Sequence, residues 1–505
     1  MKRIINKIIT IFIGMILSVN SLEALCQGKN FTWLLGYHFS SASLEGRINF
    51  TQNSYAILSE QRSIPFFDTQ GNVSDENGNI LMSSNGIFIA NSTGDTMQNG
   101  SGLNPGQVAI DFASTGLPMP YANLFLPMPG DSNEYILFHQ TVDYMTGDSP
   151  DIFYSVVDMS LNGGLGQVIS KNNVALNGSF GVGLTACRHA NGRDWWVIAL
   201  SIDGSLIYEF LLTPGNINYI GVQNLQLQPS LGFGGQPVFS PDGEKFAFRN
   251  GYVTGMNWYL YMNLFSFDRC SGIFVLDTVI NYSDSTIGYG TMFSPNSQYL
   301  YFATSQHIYQ VNTDTSDIAA SLQTVATNDT FLSAPPNLYT NFYLMYLAAN
   351  GKIYLPSTGG VLDFHEINYP DNVGTACDVD LHNIHLPCFV VGTVPNHPNY
   401  YLGAKTGSPC DTLTSITEHE HNFKFKIFPN PVTDGSFKIA YLLPQNRNGM
   451  IEIFDVNGKK IYTRILPPWS TLQYLSIPKL ADGVYNCVIT SAGERVSKKL
   501  LVFNE

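Results

Sequence analysis

The chain has 505 residues, of which 13% are charged and 13% aromatic, with 45 glycines and 26 prolines. That length allows two or three domains, and the composition favours a turn-rich, secreted β protein over a helical cytosolic one. The net charge of −14 is uneven: residues from Phe423 onward hold 11 Lys+Arg and 6 Asp+Glu, leaving 14 and 33, a net −19, for the body. A body this acidic argues against nucleic acid or an anionic membrane surface as its partner.

Residues 1–26 are expected to be a signal peptide. Lys2, Arg3 and Lys7 form a charged n-region and Ile8–Val19 an apolar h-region. That run is short for a bilayer and no stop-transfer pattern follows, so no transmembrane helix is expected in the mature chain. Ala24-Leu25-Cys26 approximates a small-x-small cleavage site, while Leu25 is too large for a lipobox that would lipidate Cys26. The other cysteines are Cys187, Cys270, Cys377, Cys388, Cys410 and Cys487. An even number permits disulfides in an oxidising compartment, and the lack of CxxC spacing speaks against zinc. Cys377, Cys388 and Cys410 are near in sequence, so a bridge within this trio is a candidate, although spacing alone assigns no pair.

From Asn30 to about Ala404 strand pairs and turns recur without a convincing amphipathic helix. Phe239-Ser240-Pro241-Asp242-Gly243-Glu244-Lys245-Phe246-Ala247-Phe248 is echoed by Phe293-Ser294-Pro295-Asn296-Ser297-Gln298-Tyr299-Leu300-Tyr301-Phe302, and more faintly by Leu347–Leu355. Phe239, Phe293 and Leu347 are each 54 positions apart. A period near fifty with a strand-turn-strand core predicts the blades of a β-propeller spanning 27–405. Further blades are placed at Asn72–Thr96, Asn123–Val168 and Leu184–Leu212. A seventh is expected where Thr32–Phe39 closes against Phe389–Leu402, removing open sheet edges. The Ser-Pro-Asp-Gly unit resembles the repeat of TolB-like and WD40-like propellers. Trp33–Phe39, Asn77–Leu81, Tyr154–Gly166, His189–Val197 and Val394-Pro395-Asn396-His397-Pro398-Asn399-Tyr400 resemble propeller regions of large surface proteins that carry type IX sorting domains. The resemblance implies an architecture and a compartment, and no activity.

Residues 406–422 are polar, lose the apolar periodicity and are expected to be a linker. Residues 423–505 then fall into seven short apolar or alternating runs, Phe423–Phe428, Phe437–Leu443, Met450–Val456, Lys460–Leu466, Leu472–Ile477, Val484–Thr490 and Val496–Phe503. Seven strands at this spacing predict an immunoglobulin-like β-sandwich. Asn457-Gly458 and Ala492-Gly493 supply the positive φ of tight hairpins. Pro429-Asn430-Pro431, then Phe454–Lys459, then Leu480–Tyr485, then the basic-apolar run Lys498–Phe503 resemble a type IX secretion (Por) C-terminal sorting domain, type A. That resemblance implies recognition by the outer-membrane translocon and sorting machinery, delivery to the cell surface or medium, and Pro429, Asn430, Pro431, Gly458, Lys459, Gly483, Val484, Tyr485, Lys498 and Lys499 as the sorting motif. Many such tails finish on a basic residue, whereas this one finishes Phe503-Asn504-Glu505.

Other motifs carry less chemistry. Asp75-Glu76-Asn77-Gly78-Asn79 is rich in oxygen ligands but lacks the distal Glu of an EF-hand, so a hairpin turn is expected. His382-x-x-His385 and His419-x-His421 have metal-like spacing without nearby cysteines and read as packed or solvated histidines. Gly178–Gly183 is glycine-rich but precedes no helix, so it reads as a loop rather than a phosphate cradle. Four Asp-Ser/Thr-apolar triplets, starting at Asp95, Asp277, Asp284 and Asp411, resemble bacterial O-glycosylation sites, a pattern chance also produces. No Gly-x-Ser-x-Gly elbow, HExxH helix or Walker loop occurs. No catalytic residue, metal or cofactor is assigned. The expected protein is a non-enzymatic surface or secreted one whose propeller binds a glycan or protein. The alternative is a secreted hydrolase acting on polysaccharide or peptide, with carboxylates gathered from separate blades.

Overall fold

The 54-residue repeat marks where three successive sheets begin. Phe239, Phe293 and Leu347 each end a short first strand, Val238–Phe239, Thr291–Phe293 and Tyr346–Leu347. In the computed structural model these strands open four-stranded antiparallel sheets in sequence order. The structure describes residues 28–411 and 425–503, apart from 38–44, 228–234, 255–256, 285, 287, 335–336, 434, 442, 444–446, 457, 469–471, 478–479 and 492–493. The chain divides by contacts into two units, Met1–Thr412 and Leu413–Glu505.

Among the described residues, the first unit is nearly all β. We number its sheets along the chain. Sheet 1 has three strands, Thr32–Leu35, Glu45–Phe50 and Tyr55–Glu60. Sheet 2 is Gly71–Ser74, Ile80–Ser84, Phe88–Asn91 and Thr96–Ser101. Sheet 3 is Asn123–Pro127, Glu134–Gln140, Ser149–Asp158 and the first part of the long strand Gln167–Arg188. The last part of that strand opens sheet 4, with Trp195–Ser201, Leu206–Thr213 and Asn216–Asn224. Sheet 5 continues from Val238–Phe239 through Lys245–Thr254, Asn257–Phe267 and Phe274–Tyr282. Sheet 6 adds Tyr299–Ala303, His307–Asn312 and Gln323–Thr327 to its first strand, and sheet 7 adds Ile353–Leu355, Val361–Ile367 and Val379–Val390. One α-helix, Gln107–Asp111, lies between sheets 2 and 3.

Each sheet buries both faces, and the alternation of a strand decides which neighbour each side chain meets. Phe246 and Phe248 pack on Trp196, Ile198 and Ile207 of sheet 4. Ala247, between them, belongs to the core shared with Phe293, Leu300 and Phe302 of sheet 6. Tyr299, Tyr301 and Ala303 point the other way, onto Ile353, Leu355 and Ile367 of sheet 7. Two-sided burial explains why these strands are continuous apolar runs rather than alternating ones. Fully burying one such side chain contributes roughly 1.5–3 kcal/mol. The chain of shared cores returns to its start: Tyr354, Phe364 and Ile384 of sheet 7 pack on Trp33, Ile48 and Phe50 of sheet 1. Leu34 of sheet 1 shares a core with Ala90 of sheet 2, and sheets 2, 3 and 4 share the largest one.

Three expectations differ from this geometry. Gly178–Gly183 is no loop. It lies within Gln167–Arg188, where the strand leaves its pairing with Ser149–Asp158 (Ser149 opposite Phe180) and takes up pairing with Trp195–Ser201 (Leu184 opposite Ala199). Gly183 has φ +128 there, a bend that a side chain would resist. Of the expected Thr32–Phe39 closure, the described residues 32–37 do not ladder against Phe389–Leu402. Thr32–Leu35 pairs with Glu45–Phe50, and a bond from Tyr37 N to Phe389 O joins the two segments. The disulfide joins Cys270 to Cys410, while Cys377 and Cys388 are buried free thiols. Proximity in sequence misled because Cys377 and Cys388 sit at opposite ends of the last strand of sheet 7, in cores shared with sheets 6 and 1 respectively. The bridge also fastens Thr406–Asp411, expected as linker, to the first unit, where Lys405 N donates to Ala190 O.

The second unit has two antiparallel sheets. One is Phe425–Phe428, Ser436–Tyr441 and Leu472–Ser476. The other runs in the order Lys460–Leu466, Gly449–Phe454, Gly483–Ser491, Glu494–Val502. Phe425, Phe437, Ile439 and Leu475 of the first share one core with Ile451, Ile453, Ile489 and Leu500 of the second. Residues 1–27, most of the linker and the Ala492-Gly493 turn lie outside the described residues.

Candidate functional site

The first strands of successive sheets contact one another around a central axis, and the chain returns to that axis after its last sheet. Residues 394–405 follow Val390 and run along the axis, fastened by side chains rather than by a ladder. Asn396 Nδ2 donates to Asn123 O at 3.3 Å and to Leu184 O at 2.9 Å. His397 Nε2 donates to Asn72 O at 2.7 Å, and Asn399 Nδ2 to Pro241 O at 2.8 Å. Tyr400 Oη donates to Phe125 O at 2.9 Å. All five bonds set a side-chain donor on a backbone carbonyl, which is how an edge strand's unpaired acceptors can be satisfied without a neighbouring strand. They reach sheets 2, 3 and 4 and the turn of sheet 5. At the far end Arg269 donates to Gly403 O, His189 O and Arg188 O.

The axial segment therefore leans to one side, and a cavity of about 530 Å³ remains on the other. Its wall is made by the segment itself (Pro395, Pro398, Tyr401), by Phe31 and Trp33, by Thr185 to Arg188 of sheet 4, and by the first strands of sheets 5, 6 and 7 (Phe239, Met292, Leu347). Turn residues Pro241, Pro295 and Gly351 line one end. Gln236 spans sheets 5, 6 and 7: its Nε2 donates to Met345 O at 2.6 Å, and its Oε1 accepts from Thr291 N and Met345 N, both at 3.1 Å. Tyr121 and Tyr346 also line the cavity, their rings 5.5 Å apart.

Among the described residues, the lining holds no Asp or Glu and a single formal cation, Arg188. That guanidinium stacks 3.8 Å over the Trp195 ring, and it donates to Tyr400 O and Arg193 O. Burial lowers its pKa to about 10 against the opposing charge of Asp194, so it stays charged at neutral pH. His397 is neutral there, since burial lowers its pKa to about 4. With Nε2 donating to Asn72 O, its Nδ1 is an acceptor. His397 Nδ1 and Arg188 Nε are both buried without a partner and sealed from solvent, so neither is offered to a ligand. The wall sets aromatic, proline and aliphatic side chains (Trp33, Phe239, Pro395) beside amides and hydroxyls (Asn30, Gln236, Ser240). Such a wall can bind an uncharged ligand by shape and a few polar bonds; it has no carboxylate pair with which to cleave one.

The other polar motifs are spent locally. Asp75 accepts from Asn77 N at 2.8 Å and Asn79 N at 2.9 Å, within a hairpin turn where Gly78 has φ +84. His382 Nε2 pairs with Asp329 at 2.9 Å while His385 Nδ1 pairs with Asp363 at 2.8 Å, so the two histidines serve different carboxylates rather than one metal. Ser333 also bonds Asp363, but it meets the carboxylate rather than the imidazole, which is not the order of a nucleophilic triad. Burial raises the Asp68 carboxyl to about 7 and Glu209 to about 7, yet neither lines the cavity. His419 and His421 lie outside the described residues.

In the second unit the register brings together several residues expected to form the sorting motif. Asn486 lies opposite both Phe454 and Lys499, Tyr485 opposite Leu500, and Gly483 opposite Val502. The hairpin Asp455–Lys459 follows Phe454, with Gly458 at φ +77 and Lys459 N donating to Asp455 Oδ1. Asn430, between Pro429 and Pro431, donates to Lys499 O at 2.9 Å and accepts from Leu501 N at 2.8 Å. Tyr485 Oη donates to Ala481 O. Thus Pro429–Pro431, Gly458-Lys459, Gly483–Tyr485 and the stretch after Lys498 meet at one end of this unit. Sequence reasoning missed the axial segment, for which the donor-rich run Asn396-His397-Pro398-Asn399-Tyr400 was the available signal.

Residues 426–503 match the family of secretion system C-terminal sorting domains. This tail marks the chain for export by the type IX secretion system as a secreted, cell-surface protein. A search of curated protein sequences finds no match. Among solved structures the chain is similar to hydrazine synthase from Kuenenia stuttgartiensis, at 14% identity over 68% of this chain and 90% of that one, with a TM-score of 0.33. It is similar also to exo-β-1,3-galactanase from Phanerochaete chrysosporium, at 11% identity over 77% and 96%, with a TM-score of 0.32. A third likeness is to a protein of unknown function from Bacteroides thetaiotaomicron, at 9% identity over 70% and 78%, with a TM-score of 0.30. None of these reaches the level at which a shared fold or activity follows.

Proposed function

Given a tail of the sorting-domain family, we propose that this chain is a non-enzymatic surface protein whose residues 27–405 form a seven-bladed β-propeller that binds a glycan or protein ligand in its axial cavity. The observation that carries this reading is the cavity wall, which sets aromatic and proline side chains beside amides and hydroxyls and, among the described residues, has no carboxylate. A hydrolase of polysaccharide or peptide would need an acid and a base or nucleophile within reach of one bond, and the cavity offers neither. The closed cycle of shared cores supports the blade count, with sheet 1 contributing three strands. Residues 423–505 form an immunoglobulin-like sandwich. Its one end, carrying Pro429, Asn430, Pro431, Gly458, Lys459, Gly483, Val484, Tyr485, Lys498 and Lys499, is the surface that the translocon and sorting machinery read.

Two experiments test this. Deleting residues 423–505 and assaying culture fluid and cell surface should abolish export, and continued export would sink the sorting role. Screening the purified chain against a glycan array, a peptide array and a hydrolase substrate panel should give binding without turnover. Turnover that survives purification to homogeneity would replace the binding reading with the hydrolase.

A further inference from the structure

Resting on the reading of the cavity as a binding site, we propose that its ligand is an uncharged, extended peptide segment of a partner protein, bearing proline and side-chain amide donors. The axis already holds one such peptide. Residues 394–403, Val-Pro-Asn-His-Pro-Asn-Tyr-Tyr-Leu-Gly, lie along sheets 2 to 5 outside any strand ladder, and their two asparagines donate to the carbonyls of Asn123, Leu184 and Pro241. The segment shows what the walls of this axis recognise: an extended chain whose amides and hydroxyls donate to carbonyls of strands and turns.

Among the described residues, none of the segment's side-chain hydrogen bonds reaches sheets 6 or 7, the walls on which the cavity lies. Those walls repeat the strand-turn-strand unit of sheet 5, whose turn the segment already engages at Pro241 O, so their turns present carbonyls of the same kind. Grooves that select proline-bearing extended peptides are lined by aromatic side chains and hold little charge, because a preformed extended ligand loses little entropy on docking. Phe31, Phe239, Tyr401, Pro241, Pro295 and Pro398 give this cavity that lining. The amides and hydroxyl of the lining, Asn30, Gln236 and Ser240 among them, suit the main-chain groups of a peptide as well. Charged peptides are disfavoured, since a buried carboxylate or ammonium would find one already engaged guanidinium and no acid.

The probe is a labelled synthetic peptide of residues 394–403, titrated into the purified full chain and followed by fluorescence anisotropy. Saturable binding is expected, weakened about tenfold or more when both asparagines of the peptide are leucine. Ala349→Trp, which fills the cavity from sheet 7, should abolish it. Met292→Ala, which enlarges the cavity from sheet 6, should change the affinity while the thermal melt stays near that of the parent, so a folding defect in Ala349→Trp would not hide the outcome. Binding that neither substitution alters would overturn the proposal. So would failure of the peptide alongside binding of a neutral oligosaccharide, such as cellotetraose, that Ala349→Trp blocks. That second result would leave the binding site standing and replace only its ligand, whereas silence of both probes would remove the site itself.

Discussion

Sheets 2 to 4 and sheets 5 to 7 face one axis and treat it differently. The first strands of sheets 2 and 3 run four and five residues, Gly71–Ser74 and Asn123–Pro127, and their carbonyls are taken by the axial segment. Those of sheets 5 to 7 are two or three residues long, Val238–Phe239, Thr291–Phe293 and Tyr346–Leu347. Pro237 and Pro241 flank the first of these and Pro295 follows the second. Proline has no N–H and ends a strand, so this half of the wall is smooth, short of donors and left open. The irregular half holds the segment and reaches the cavity through the first strand of sheet 4 (Thr185 to Arg188), whereas the half that repeats at a strict period supplies most of the cavity's strand wall. Regularity here marks a surface kept available, and irregularity marks one already used.

The sharpest way to break that comparison is to truncate adjacent tyrosines on the two sides of the segment. Tyr400 is buried on the filled side, edge-to-face with Trp195 at 6.0 Å and bonded to Phe125 O. Tyr401 is partly exposed, lines the cavity and accepts a bond from Lys29 N at 2.7 Å. Tyr400→Ala should cost about 3–5 kcal/mol, the range for emptying a buried aromatic site. Tyr401→Ala should cost less, about 1–2 kcal/mol, since its ring only flanks the same core and its hydroxyl holds a partly exposed hydrogen bond. Urea unfolding of the full chain, followed by a probe in the first unit, measures both. Equal costs would mean that the two sides of the axis are packed alike.

A smaller effect separates the segment from the wall that pins its end. Cys270–Cys410 closes a loop of 140 residues and ties the chain just beyond the segment to the turn before Phe274 of sheet 5. Replacing both cysteines by serine should cost about 2–4 kcal/mol, chiefly by loosening the unfolded chain. Hydrogen exchange should rise first at 394–405 and little at the first strands of sheets 2 and 3. Uniform acceleration across all the sheets would show the bridge to be a general staple rather than a clasp on the segment.

How much of this was legible in the sequence follows the same division. Sheets 5 to 7 announced themselves because each turn repeats its own chemistry at a fixed period, a local signal. The tail strands were legible too, each an alternating apolar run bounded by turn residues: Phe437, Ile439 and Tyr441 are buried and Lys438 exposed, as period two demands. Gly178–Gly183 misled because glycine marks a loop and a bent strand alike, and only the change of partner from Ser149–Asp158 to Trp195–Ser201 distinguishes them. The Cys270–Cys410 pairing and the seat of the axial segment depend on contacts between residues 140 to 325 positions apart, as between Asn72 and His397. Period and composition carry no information at that range. The cavity's lining, without carboxylates among the described residues, could not be read before the segment and the first strands were placed.

The smallest expected effect tests whether the repeated turn holds the regular half together by its backbone or by its side chains. Ser240 is buried; its hydroxyl donates to Asp242 Oδ1 and accepts from Lys245 N at 2.9 Å. Ser294 does the same with Asn296 and Tyr299 N. Sheet 7 has Ala348 at this position, and its turn, one residue shorter, is closed by backbone bonds alone, Ala348 N to Lys352 O and Gly351 N to Ala348 O, both 3.0 Å. The backbone therefore suffices for the turn, and the hydroxyl adds to it. Ser240→Ala should cost about 1 kcal/mol, the net worth of a buried side-chain hydrogen bond, with the cavity unchanged. Ala348→Ser should be neutral or stabilising by up to about 1 kcal/mol, because Asn350 Oδ1 stands where Asp242 and Asn296 stand in the other two turns. A loss well beyond this range in Ser240→Ala would mean that the turn side chains, and not the strands, set the wall of the open half. The short first strands would then be a consequence of the turns rather than the reason that half stays open.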